Sequence, residues 1–293
     1  MLEKLTDRIY YMPNDHSTDR PLLGLVCGDQ ASLVVDAGNS PAHARRFLEE
    51  ARKIAKSPIR DLSITHWHWD HVFGIGTMAL TTLCSVKTKM VLDRMSTYSW
   101  DDESLEERVR NGEEIAFCRD NIRLEMPERE GFTTKSADIS FTDRLEVDLG
   151  GIHCVIAHVG GGHSEDSSIL YVPEEQVLFT GDAMYEDLHS GERSYDMEQL
   201  VPLVSRVRQF PAEYYLGSHE NPQTHEEFWA FVDSVVRIGE AVGFEYEEER
   251  MTEKFISTFG KEPDEEEAYY IQTFLQGNLK VRTREADASV VKE

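Results

Sequence analysis

The sequence predicts an α+β fold, a four-layer αββα sandwich of two similar halves, sheet packed on sheet with helices outside. Two observations carry this: β-rich runs followed by helical patterns occur twice along the chain, and ligand-type polar residues recur just after apolar runs. At 293 residues the chain is long enough to bury a sizeable core.

The first half opens with "PLLGLVCGDQASLVVDAG", two short β-rich runs broken at Gly28, Asp29 and Gln30, which reads as a hairpin. "SPAHARRFLEEARKIAK" follows with helical periodicity and Pro41 near its start, and "PIRDLSITH" supplies another strand. From Asp93 to Phe132 the pattern changes to a charge-dense stretch, part helix and part loop. It reads as an insertion that serves either as a lid or as a solvated spacer. The second half begins with "SADISFTDRLEVDLGGIHCVIAHVGGGHSEDSSILYVPEEQVLFTGD", several short strands separated by Gly, Pro and Asp signals. "DMEQLVPLVSRVRQF" then reads as a helix, "AEYYLGSH" as a strand and "THEEFWAFVDSVVRIGEAV" as an amphipathic helix. Two acidic helical stretches follow, and a polar tail from Arg282 is expected to be disordered.

Composition narrows the function. With 55 acidic against 30 basic residues the formal charge is −25, so the average surface repels phosphate backbones and anionic lipid headgroups. Neither nucleic acid nor membrane is the expected partner. The start "MLEKLTDRIYYMPND" lacks a basic segment followed by an apolar one, and no apolar run approaches a membrane span, so a cytoplasmic protein is expected. Cys27, Cys84, Cys118 and Cys154 lie far apart with no C-x-x-C pair, which predicts reduced, mostly buried thiols.

The chemistry concentrates in "SITHWHWDHVFG", where His66, His68, Asp70 and His71 fall within six residues. His66 and His68 flank Trp67, so at an extended strand end both side chains point to one side and can hold one ion together. Asp70 and His71 follow where the chain leaves the strand and can aim at a second point nearby. Two ions need further ligands, and His163 in "VGGGHSEDS", Asp182 in "VLFTGDAMY" and His219 in "YYLGSHENP" each follow an apolar run and precede a loop.

In that order, "THWHWDH", "GHSEDS", "FTGD" and "LGSHE" resemble the metallo-β-lactamase superfamily, over roughly Thr6 to Gly243. "VVDAG" around Asp36 resembles the same family's first motif, an acidic residue that supports the ligands from behind. The resemblance implies a catalytic domain over residues 1–245 with a helical extension over 246–293. It implies His66, His68 and His163 on one ion, Asp70, His71 and His219 on the other, and Asp182 bridging. Zinc is the expected metal, and mixed His and carboxylate ligands also suit manganese or iron. The implied enzyme is a binuclear metal-dependent hydrolase whose metal-bound hydroxide attacks a small-molecule substrate. Asp70 passes the proton to the leaving group. Tyr185 is placed like the tyrosine that contacts the substrate carbonyl in family lactonases. His189 in "EDLHSG" either reaches the cleft or is an ordinary loop residue with no part in it, while Trp67 and Trp69 either wall the pocket or pack beneath it. His153 and His158 read as structural, and His16, His43 and His225 as surface residues.

Departures from known subgroups narrow the substrate. Antibiotic-hydrolysing members with two zinc ions carry a cysteine where this chain has Asp182, so a dedicated β-lactamase is not expected. "DHVFGIG" replaces the "DHxGG" common among glyoxalase II-like thioesterases and the basic residues those enzymes use for glutathione are not recognisable, so a glutathione thioester is not expected; the acidic composition does not support the basic exosite of RNA-processing members, and 293 residues do not also hold the flavin domain of the flavin-coupled ones. What remains is the glyoxalase II and lactonase-like branch, acting on an ester, thioester, lactone or phosphodiester. The rival the resemblance allows is a persulfide dioxygenase with a single iron. A non-catalytic metal-stabilised module is disfavoured because all seven ligands are present.

Overall fold

A computed structural model describes residues 1–290, with side chains through Arg284. Seven strands form the first sheet, β1 (Glu3–Lys4), β2 (Ile9–Met12), β3 (Leu23–Cys27), β4 (Ser32–Val35), β5 (Ile59–Ser63), β6 (Thr81–Ser85) and β7 (Ile139–Phe141), in chain order. Pairing is antiparallel from β1 to β4 and parallel from β4 to β7. The expected hairpin is β3–β4, closed at Gly28, whose N–H donates to Ala31 O at 3.0 Å. The second sheet holds β8 (Arg144–Asp148), β9 (His153–His158), β10 (Ser168–Val172), β11 (Val177–Gly181), β12 (Tyr214–Gly217) and β13 (Gln223–Thr224), again side by side in chain order. All its pairs are antiparallel except β11–β12.

The sandwich follows from strands that are apolar on both faces. On β4, Leu33 and Val35 face the second sheet, in a core shared with Ile156, Leu170 and Phe179, while Val34 faces outward into the first helical layer. That layer contains α1 (Pro41–Ile54), α2 (Trp69–Val72), α3 (Ile75–Met78), α4 (Val86–Met95), α5 (Asp102–Arg110) and α6 (Ala116–Glu125). Beyond the second sheet pack α7 (Met197–Val207), α8 (His225–Val242), α9 (Glu248–Phe259) and α10 (Glu265–Val290), around Leu203, Trp229, Phe255 and Phe274. Helix α8 starts on a capping box in which Thr224 Oγ1 accepts from Glu227 N–H and Glu227 Oε2 accepts from Thr224 N–H. Among the described residues, no helix is long and apolar enough to cross a membrane.

Three sequence expectations change. His43 is not a surface residue but is 1% exposed. It lies four residues before Phe47 on α1, on the same inward stripe as Ala44, Leu48 and Ala51. Gly38 makes room for it, because a Cβ there would stand 2.7 Å from His43 Nδ1. The tail beyond Arg282 does not start as a disordered segment: α10 runs on to Val290. No Gly or Pro follows Gly277 in that stretch, and a helix already docked through Ile271, Phe274 and Leu275 propagates more readily than it nucleates. Residues 291–293 of the expected tail lie outside the described ones. The stretch from Asp93 to Phe132, finally, is a built wall. Trp100 and Phe132 pack on Phe73 with ring centroids 4.5 and 4.9 Å away, and Glu125 accepts hydrogen bonds from Thr18, Arg20 and Ser40.

Candidate metal centre

The parallel pairs β4–β5 and β11–β12 end at one edge of the sandwich, and their C-terminal ends deliver the polar side chains there. Asp36 follows β4, Asp182 follows β11 and His219 lies two residues beyond β12. Backbone bonds join the halves at this edge: Ser168 N–H donates to Thr65 O at 2.8 Å and Leu22 N–H to Ser218 O at 2.6 Å. After β5 the chain stays extended to His68, which begins α2, so Asp70 and His71 occupy the first turn of a helix. His163 hangs from the glycine turn after β9, where Gly160 and Gly161 have φ of +65° and +131°.

The seven predicted ligands come together. His66, His68 and His163 form one group and Asp70, His71, Asp182 and His219 another, each with its ligand atoms within 4.8 Å of one another. Asp182 Oδ2 stands between the two, 3.9 Å from His66 Nε2, 3.5 Å from His163 Nε2, 3.3 Å from His71 Nε2 and 3.5 Å from His219 Nε2.

Hydrogen bonds behind the rings set which nitrogen faces inward. Asp36 accepts from Thr65 N–H at 2.8 Å through Oδ1, and from Thr65 Oγ1 and His71 Nδ1 at 2.9 Å each through Oδ2. Because the Thr65 hydroxyl donates to Asp36, its lone pair receives His66 Nδ1–H at 3.1 Å. His163 Nδ1–H donates to Glu186 O at 2.9 Å. His66, His71 and His163 are thereby held with Nε2 toward the cluster. Asp36 does this from a left-handed backbone, φ +61°, uncommon for a residue with a Cβ.

The donor set fits divalent cations. His66 Nε2, His71 Nε2 and Asp182 Oδ1 are buried with no hydrogen-bond partner, although such groups are normally satisfied. Burial and the neighbouring histidines hold His66 and His68 well below the usual imidazole range, in the neutral form that binds metal. Burial works against charge on Asp182 and His71 alike. Asp70, Asp182 and Asp36 override it at His71, raising the ring well above the usual imidazole range, and His71 and His219 override it at Asp182, keeping it well below the usual carboxylate range; the proton this places on His71 is the one a bound cation would displace. This pair of buried carboxylates, Asp70 and Asp182, demands positive charge. Five imidazoles and two carboxylates around two points are a ligand set for zinc, manganese or iron.

A cavity of about 330 Å³ opens over the centre, bounded by Trp69, Phe117, Cys118, Tyr185 and His189 among others. Tyr185 Oη accepts from His219 N–H at 3.2 Å, and burial pushes its phenol well above its ordinary range, so it keeps its proton. His189 lies with its ring centroid 4.1 Å from that of His68 and its Nδ1 3.9 Å from Glu114 Oε1. Trp69 walls the cavity, whereas Trp67 packs edge-on against His68. His153 and His225 are exposed, and His158 donates to Glu165 O at 2.9 Å; none of the three joins the cluster. Sequence reasoning missed Thr65, Glu114, Asp19 and the backbone of Glu186. Only Thr65 had a signal, its place directly before the histidine run. Glu114 reaches the site from the insertion, and Asp19 Oδ1, 3.7 Å from His219 Nδ1, comes from the β2–β3 loop.

Residues 21–219 match the family model described as the Metallo-beta-lactamase superfamily. The chain belongs to that superfamily. Curated relatives are distant. A linear primary-alkylsulfatase from a Pseudomonas species is 26% identical over 222 residues, 67% of this chain and 40% of that one. The acyl-coenzyme A thioesterase MBLAC2 of Gallus gallus is 27% identical over 179 residues, 58% of this chain and 60% of that one. The match therefore spans about half the length of these superfamily relatives. Among solved structures, a metallo-beta-lactamase from Pontibacter korlensis superposes with a TM-score of 0.55 at 17% identity, covering 80% of this chain and 97% of that one. The structure of TMB-1 gives 0.56 at 14% identity, over 82% and 98%. At such identities the structural likeness establishes the fold alone.

Proposed function

We propose that the protein is a binuclear metal-dependent hydrolase of the glyoxalase II and lactonase-like branch, acting on a small-molecule ester, thioester, lactone or phosphodiester. One observation carries this reading: Asp182 Oδ2 lies within 3.9 Å of one ligand nitrogen group and 3.5 Å of the other. A single carboxylate oxygen so placed can bridge two ions. His66, His68 and His163 would hold one ion and Asp70, His71 and His219 the other. When bound, such a pair supplies a water acidic enough to attack near neutral pH and a Lewis acid that polarises the electrophile. The chain's own residues do the rest. Asp70, whose Oδ2 lies 3.0 Å from His71 Nε2 and 3.2 Å from His219 Nε2, receives the water's proton and hands it to the leaving group. The Tyr185 hydroxyl, already accepting from His219 N–H, keeps its own proton for the oxygen on which charge develops. Asp36 and Thr65 keep His71 and His66 in the ligating tautomer.

The names of the two curated relatives, an acyl-coenzyme A thioesterase and an alkylsulfatase, support hydrolysis at an acyl or related centre. The test is turnover of an ester, thioester, lactone and phosphodiester panel by protein loaded with zinc or manganese, beside an Asp70→Ala variant. Hydrolysis that collapses in the variant supports the proposal. A protein inert to the panel when loaded with zinc or manganese, yet consuming oxygen with a persulfide when loaded with ferrous iron, overturns it in favour of the dioxygenase chemistry.

A further inference from the structure

We infer that Lys280, on the C-terminal helix α10, is a positioning residue for the metal centre: it pins the β11–α7 loop, whose Glu186 carbonyl orients His163 and whose His189 ring lies against His68. The inference rests on the two-metal reading above and gives the C-terminal extension a part in it. Between β11 and α7 the chain passes over the centre, and a pair of backbone bonds closes it on itself: Asp187 N–H donates to Ser194 O at 3.0 Å and Ser194 N–H to Asp187 O at 3.1 Å. Asp187 also organises the turn inside. Its Oδ1 accepts from the His189 and Ser190 N–H groups at 2.9 and 3.0 Å, and its Oδ2 accepts from the Ser190 hydroxyl. These bonds are local, so they shape the loop without attaching it to the body. Among the described residues, none of 186–193 belongs to a hydrophobic core.

Lys280 makes the attachment. Its ammonium donates to Glu192 O and Ser194 Oγ at 2.7 Å each and to Asp187 Oδ2 at 3.2 Å, so its three donors meet three acceptors of this one loop. The ion pair is largely withdrawn from water, with 18% of the lysine and 15% of the aspartate side chain exposed, and salt screens it less than a surface pair. Helix α10 is placed without help from this contact. Phe274 and Leu275 dock in the second core, and Gly277 lets the helix approach Tyr195 O, where a Cβ would stand 1.9 Å away. Tyr195 N–H donates to Thr273 O at 3.1 Å, and the Tyr269 hydroxyl donates to Glu186 Oε1 at 2.5 Å. A docked helix thus holds the loop at both ends, and Lys280 grips the part between.

The loop passes this order to the ligands. Glu186 O accepts from His163 Nδ1–H at 2.9 Å, which turns His163 Nε2 toward Asp182, and the His189 ring centroid lies 4.1 Å from that of His68. His163 and His68 belong to one ligand group, together with His66. His71, in the other group, takes its orienting bond from Asp36, outside this loop. Loosening residues 187–194 therefore disturbs the support behind one ion and spares the other.

The experiment compares Lys280→Met, which keeps most of the stem and removes the ammonium, with Lys280→Arg and with Lys53→Met, a charge change on α1 in the opposite helical layer. Zinc is titrated to two ions per chain against a chromophoric chelator, and the step that His163→Ala abolishes marks the group of His66, His68 and His163. In Lys280→Met that step is expected to weaken about 3- to 10-fold, less than the roughly 10- to 100-fold of losing a ligand's own partner because the Glu186 carbonyl remains, while the other step stays within about twofold. Lys280→Arg recovers most of the affinity, and Lys53→Met leaves both steps at the parent values. A folded Lys280→Met with both steps unchanged, or with both weakened equally, overturns the inference and leaves the hydrolase reading intact. Should that variant not fold, Ser194→Ala, which removes one acceptor of the ammonium, is read in the same way. If the parent binds no ion, the two-metal reading takes the loss. The inference is then decided on the metal-free protein by the proton resonance of His163 Nδ1–H, which is expected to shift and broaden in Lys280→Met; an unmoved resonance overturns it.

Discussion

Replacing Asp36 by Asn isolates the orienting role of one buried carboxylate. Asn tolerates the left-handed φ of +61° that Asp36 adopts, so the backbone is spared. The charge and one acceptor are not. Oδ2 accepts from both His71 Nδ1 and Thr65 Oγ1, and Oδ1 accepts from Thr65 N–H. An amide NH₂ placed at either position opposes at least one of these donors. If it faces His71, the ring is driven to the other tautomer, with a proton on the nitrogen that points at Asp70 and Asp182 from 3.0 and 3.3 Å. A hydrogen bond to a charged group contributes about 1.5 to 3 kcal/mol. Losing such a partner behind a metal ligand costs roughly 10- to 100-fold in metal affinity. Asp36→Asn is therefore expected to weaken binding of the ion held by His71 within that range while leaving the other ion bound more tightly. Competition with a chromophoric chelator, titrated to two ions per chain, reads both affinities. Unchanged affinity at both, in a variant that melts like the parent, would refute the tautomer argument.

Other expectations follow from single contacts. Burial, with Arg20 nearby, lowers His43 to about 4, while the unfolded chain titrates near the ordinary 6.5, so between these values the unfolded state binds more protons and stability falls as pH falls. Wild-type protein should therefore lose roughly 2 to 3 kcal/mol more than His43→Gln between pH 7 and 4.5 in urea titrations, and parallel losses would show that His43 is not the titrating group. Gly277→Ala should destabilise the protein although Ala is the better helix former by about 1 kcal/mol, because a Cβ there falls 1.9 Å from Tyr195 O; a raised Tm would show that α10 does not press on that loop. Tyr185→Phe should lower kcat by about 10²- to 10³-fold with little change in KM or metal content, and an unaltered kcat would reduce the residue to packing.

The gathering of the seven candidate ligands was legible because the information is local. Three histidines and an aspartate within six residues, and single candidates placed just after strands or a glycine turn, need no tertiary knowledge to suggest a common site. The αββα layering was legible for a similar reason, since strands such as Leu33–Val34–Val35 are apolar on both faces and can only lie between layers. What the sequence hid is long-range. His43 looks polar in a helix start, and its burial shows only through its register with Phe47 and the space left by Gly38. The charge-dense stretch from Asp93 to Phe132 has the composition of a solvated spacer. Its apolar residues Trp100, Leu105, Ile122 and Phe132 are what anchor it, and Phe117 and Cys118 thereby reach the cavity while Glu114 stands behind His189. Asp19 carries no pattern at all; the β2–β3 loop brings it to His219 across the sandwich edge.

The measurement that bears most directly on the central claim is the count of metal ions per chain by plasma mass spectrometry of the purified protein, beside an Asp182→Ala control. Because Asp182 Oδ2 stands between both ligand groups, the account predicts close to two ions of zinc or manganese per chain, with a clear fall in the control. A single iron per chain, little changed when Asp182 is removed, would contradict it.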